Sequence, residues 1–110
     1  MSDSFDERRK GFEDKWAHDE ELQFKVHARR DKLLGEWAAH ELGLHGAERD
    51  AYVKSIVQTE LSKGGEHAVV RKLHADFVAK QIHHSEHIIQ RKMEDLLKHA
   101  GDQILHEAKR

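Results

Sequence analysis

The chain has 110 residues with no cysteine and no proline, and 36% of them are charged for a formal net charge of −2. That length allows one domain with a modest core, and the missing cysteines exclude a disulfide framework or a thiolate metal site and suit the cytosol. The balance of charge lacks the basic bias of nucleic-acid binding, and no apolar run of about 18 residues, nor an apolar core after Met1, predicts membrane insertion or export.

Ala, Leu, Glu, Lys and Arg fill much of the sequence, a composition that favours helix throughout. The expected fold is all-α, with an N-terminal arm at residues 1–21 and an antiparallel four-helix bundle at residues 22–110.

The arm holds twelve charged residues and no Leu, Ile or Val. Its large apolar groups are Phe5, Phe12 and Trp16, which on a helix fall within about 40° of one another, a narrow seam flanked by Arg8 and Arg9. Gly11 in its middle costs about 1 kcal/mol of helix stability relative to Ala. Such a segment either extends the next helix as a solvated, frayed end, or folds when its seam meets a groove on a partner. Periodicity does not separate these two readings.

From Leu22 to Leu42 the apolar residues Leu22, Val26, Leu33 and Trp37 recur at helical spacing, joined by Phe24, Leu34, Ala38 and Leu42. Together they cover an arc of about 200°, too wide for a helix that meets one neighbour, which predicts the central helix of the domain. Gly43 suits a C-terminal cap. A second helix is expected over Ala47 to Lys63, with Tyr52, Val53, Ile56, Val57 and Leu61 inward and Gly64-Gly65 ending it. A third runs from Glu66 to about Gln81, burying Val69, Val70, Leu73, Phe77, Val78 and Ile82. The fourth carries Ile88, Ile89, Met93, Leu96, Leu97, Ala100, Ile104 and Leu105.

Between the last two helices stand His83, Glu86 and His87, in the H-x-x-E-H order of inverted zincin peptidases. That motif needs both imidazoles on one face of one helix. Here the apolar phase restarts between Ile82 and Ile88, with Ser85 as N-cap and Glu86 in the first turn of a new helix. His83 and His84 would then end the preceding one. With eleven histidines in the chain the order also arises readily by chance, and no third ligand or substrate cleft accompanies it. Other nucleophile and phosphate-loop motifs are missing, so no catalysis and no designed metal site is expected. The histidines do make net charge sensitive to pH, since protonating half of them adds about five positive charges.

The stretch from Phe12 to Gly43 carries a more specific pattern. Phe12-Glu13, the step Trp16-Ala17-His18-Asp19, and Ala28-Arg29-Arg30 through Leu33-Leu34-Gly35 to Trp37-Ala38-Ala39 resemble the zeta subunit family of alphaproteobacterial F-type ATP synthases. Val69 to Phe77 and Ile88 to Ala100 agree more loosely. Trp16 stands where phenylalanine is commoner in that family, and Asp31 where asparagine is usual.

The resemblance implies a small regulatory protein, not an enzyme, that inhibits ATP hydrolysis by the synthase's catalytic head. It implies an N-terminal arm that becomes helical on insertion at the interface of the alpha, beta and gamma subunits, with the bundle as a plug. Phe5, Phe12 and Trp16 are then the anchors, Arg8, Arg9 and Lys15 pair with acidic groups, and His18 and Asp19 complete the partner-binding set. Weak adenine-nucleotide binding is associated with the family, no cofactor is expected to be required, and the implied location is cytoplasmic, peripheral to the inner membrane. The alternative reading, from histidine content, is a helical metal-binding or metal-buffering protein.

Overall fold

A computed structural model describes residues 18–108, so what is expected of residues 1–17 and 109–110 lies outside the described residues. Four helices form in chain order: α1 (Glu20–Glu41), α2 (Gly46–Glu60), α3 (Gly65–Ala79) and α4 (Glu86–Ala108). Helix α1 packs on α2 and α4, and α3 closes the square by packing on the same two. Because the connections are short, neighbours run antiparallel, and the architecture is the expected up-down four-helix bundle.

The helix ends follow from local chemistry. Asp19 caps α1: its backbone is extended, with φ −118° and ψ 106°, and its Oδ1 accepts the Leu22 N–H at 3.1 Å. Glu20 and Glu21 add negative charge to the first turn, where it complements the helix dipole. At the other end Gly43 takes φ 75°, which turns the chain so that Leu44 N–H donates to the Ala39 carbonyl at 2.9 Å and Gly43 N–H to that of His40 at 3.1 Å. This pair of bonds is a Schellman closure, which uses carbonyls the last turn would leave unpaired.

Helix α3 ends the same way without a glycine. Ile82 N–H donates to Phe77 O at 2.8 Å and Gln81 N–H to Val78 O at 3.0 Å, with Gln81 held at φ 59°. The closure ends α3 at Ala79, so His83 and His84 lie in the connection and not, as expected, in the last turn of the helix. Ser85 then caps α4, its Oγ accepting the Ile88 N–H at 3.2 Å.

All four helices contribute to one core: Leu34 and Ala38 from α1, Ile56 from α2, Val69, Leu73 and Phe77 from α3, and Ile89 and Met93 from α4. Val26 and Ala100 join α1 to α4 in a second cluster, flanked by Leu22, Leu33 and Ile104. Four residues assigned inward by spacing point to solvent instead: Phe24 at 63% exposure, Leu61 at 69%, Val78 at 59% and Ile88 at 43%. Val78 and Ile88 each adjoin a fully buried residue, Phe77 and Ile89, and a step of about 100° carries them past the edge of the packed face. Leu61 lies one residue beyond the last turn of α2.

Gly35 fixes how closely α1 and α2 approach. A Cβ built there would lie 3.0 Å from the Val53 Cα, so the contact is with backbone and cannot be relieved by a rotamer change. Gly35→Ala should therefore lower stability by about 1–2 kcal/mol in urea unfolding, even though alanine is the better helix former. Gln81→Gly should do the reverse and raise it by about 0.5–1 kcal/mol, because glycine removes the steric cost of positive φ at the α3 closure.

Candidate functional site

Of the eight residues expected to bind a partner, Phe5, Arg8, Arg9, Phe12, Lys15 and Trp16 lie outside the described residues. The other two sit where the arm meets the bundle. His18 is exposed in the turn before α1, and Asp19 is the half-buried cap, whose carboxylate is already engaged with the helix. The extended backbone of Asp19 ends α1 at Glu20, so the helix does not run on through this residue.

Three turns further along α1 lies a cluster of charges. Arg30 is buried at 2% exposure, and its guanidinium donates through Nη2 to Glu60 Oε1 and through Nη1 to Glu66 Oε1, both at 2.7 Å. Its Nε donates to Oδ1 of the adjacent Asp31 at 3.1 Å. Glu60 is the last residue of α2 and Glu66 lies in the first turn of α3, so one side chain of α1 ties the ends of two helices. His27, one turn back, faces the same group, with Nδ1 3.9 Å from Glu60 Oε1.

The electrostatics are those of three carboxylates around one cation. Burial pushes the Asp31 carboxyl up to about 7, against the pull of Arg30, and the negative charges of Glu60 and Glu66 push it the same way. Burial and the positive charge of Arg30 lower the imidazole of His27 from its ordinary value. The hydrogen bond from Arg30 holds Glu66 below the usual carboxylate range.

A comparison with known protein families matches residues 1–103 to the family described as ATPase inhibitor subunit zeta. The chain belongs to this family. No curated protein matches it. The family match begins at residue 1, so it takes in the whole arm as well as nearly all of the bundle.

In this zeta-family chain the H-x-x-E-H residues do not converge on one helix face. His83 is exposed in the α3–α4 connection, and Glu86 and His87 are exposed in the first turn of α4. His84 is the one of this stretch that turns inward. It packs against Trp37 and Phe77, with ring centroids 5.3 and 5.0 Å away, and its Nε2 lies 2.7 Å from Glu41 Oε1. It thus pins the connection to the end of α1. A shallow cleft of about 450 Å³ opens beside it, lined by Trp37, His87, Arg91 and Lys92 among others. No helix among the described residues is long and apolar enough to cross a membrane.

Neither the Arg30 cluster nor the inward role of His84 was anticipated from the sequence. The one available signal was Asp31, an acidic residue where the resemblance led asparagine to be expected. Asparagine would accept the Arg30 Nε–H without bringing a charge into the interior. Because the folded-state pKa of Asp31 is raised, its contribution to stability is full below about pH 4 and is lost as pH rises through about 7. Asp31→Asn should thus gain stability over the parent as pH rises from 5 to 8, by on the order of 1–2 kcal/mol at the upper end, as read by urea titrations across that range. His27 and Glu66 titrate in both proteins and largely cancel from the difference. Equal gains at pH 5 and pH 8 would show that the charge on Asp31 is not the cause.

Proposed function

We propose that the chain is a regulatory inhibitor of ATP hydrolysis by the F-type ATP synthase, acting through residues 1–21 while the bundle serves as the plug. The observation that carries this reading is membership of the ATPase inhibitor subunit zeta family over residues 1–103, arm included. On this reading the protein has no chemistry of its own. It works from the cytoplasmic side as a mechanical block, its arm wedged at the alpha, beta and gamma interface of the catalytic head, opposing rotation in the hydrolytic direction.

The physical support lies in the arm's composition and its junction. With so few apolar groups the arm gains little by packing alone, so its helix is best stabilised by a partner's groove that covers Phe5, Phe12 and Trp16. The cap at Asp19 separates α1 from the preceding chain, so an inserted arm is not obliged to follow the axis of α1. Arg8, Arg9 and Lys15 then steer the approach to acidic groups, which affects the rate of association and its dependence on salt more than the final affinity.

The test is the ATPase rate of the purified cognate catalytic head titrated with the full chain. Inhibition is expected at micromolar concentration or below. Phe12→Ala and Trp16→Ala should each raise the half-inhibitory concentration by about 30-fold, the equivalent of about 2 kcal/mol for a buried aromatic anchor. Circular dichroism should show the bundle unchanged in both variants. If the parent chain leaves the ATPase rate unaltered at tens of micromolar, this member does not inhibit.

A further inference from the structure

We propose that His27, Glu60 and Glu66 form a binding site for a divalent transition cation, with zinc the best match to one imidazole and two carboxylates. These residues come from three different helices, and the donor atoms they offer all lie within 4.8 Å of one another. A four-coordinate zinc with ligands at about 2.1 Å holds its donors about 3.4 Å apart, so a small torsional adjustment of the two glutamates closes the set. A water would take the fourth position on the side where Glu66, half-exposed at 54%, opens to solvent.

Four features favour a cation here over a self-contained ion pair. Arg30 takes only the Oε1 atom of each glutamate, and a carboxylate has a second oxygen for coordination. In Glu60 that second oxygen, Oε2, is buried and has no hydrogen-bond partner, a costly condition that a metal bond would relieve. Arg30 also faces Glu60 and Glu66 together, so even with the Asp31 carboxyl protonated the cluster carries more negative charge than its own cation offsets. The imidazole of His27 is held towards its neutral form, the form that ligates metals.

Arg30 need not leave when the cation enters. It becomes an outer-shell donor that orients both carboxylates, as hydrogen-bonding partners of metal ligands commonly do. The choice of zinc over magnesium or calcium follows from the imidazole, because the alkaline-earth ions favour sites made wholly of oxygen. The bound ion would link α1 to the facing ends of α2 and α3 and hold the α2–α3 connection in place.

The experiment is zinc affinity of the full chain, measured by competition with a chromophoric chelator, together with thermal unfolding in stoichiometric zinc chloride or magnesium chloride. Zinc should raise the melting temperature by several degrees and magnesium should not. His27→Gln and Glu66→Gln should each weaken zinc binding at least tenfold, while the double variant His83→Ala, His87→Ala binds as tightly as the parent. Glu66 is exposed enough that its variant decides the matter if His27→Gln fails to fold. The proposal is overturned if the parent chain does not bind zinc, if folded Glu66→Gln keeps the parent affinity, or if the double variant loses it. None of these readouts involves the ATPase, so the cation site stands or falls independently of the inhibitory function.

Discussion

Arg30 cannot shed its charge when α1 folds into the bundle, and removing a guanidinium from water costs several kcal/mol unless hydrogen-bonded anions replace the solvent. Asp31 of α1 supplies one replacement, and the other two come from outside α1, since Glu60 ends α2 and Glu66 begins α3. The chain between them must therefore reverse within the few residues from Leu61 to Gly64, and it must do so at the level of Arg30. Sliding α2 or α3 by one turn would leave a buried cation without its partners, which is a larger penalty than most packing errors in an apolar core. The ion cluster thus sets the register of three helices, and the apolar core fills the space that register defines.

A second fixed point lies at the far end of α1. There Gly35 brings the backbones of α1 and α2 close together at Val53, and His84 binds Glu41 while packing on Trp37 and Phe77. Lys92 adds its ammonium over the Trp37 ring at 5.5 Å, which brings α4 to the same place. Tyr52 of α2 donates to Asp76 of α3 at 2.7 Å, joining a third neighbouring pair. The bundle is consequently tied by polar contacts along its length as well as by its core, and the ties involve residues that spacing alone would place on a solvated face.

That difference explains what the sequence disclosed. The helices were legible because apolar periodicity persists for whole helices and is punctuated by Gly43, Gly64-Gly65 and Ser85, whose backbone and side-chain chemistry ends or starts a helix locally. The Arg30 cluster was not, because its two glutamates stand 30 and 36 residues away in a chain with 19 basic and 21 acidic residues, any of which could have paired. Gln81 hid the end of α3 for a similar reason. A glutamine at positive φ is rare, so nothing at that position announces a closure that the backbone nevertheless makes. The exposed Phe24 and Leu61 show the converse error, where an apolar residue near the edge of a helical arc was assigned to a core that does not reach it.

The junction at Asp19 bears on how such a bundle would serve as a plug. A plug must resist deformation, while the arm ahead of it must be free to take whatever direction a groove imposes. One continuous helix would couple the two, because bending it within the ladder costs backbone hydrogen bonds. Ending α1 at a capped, extended residue places the change of direction where those bonds are satisfied by a side chain instead. Arg30 lies only three turns beyond that point and fixes the same helix to α2 and α3, so a load applied through the arm would pass directly into the best-tied part of the bundle. On the proposed reading, the buried charge cluster is what makes the folded domain stiff at the end where the arm pulls.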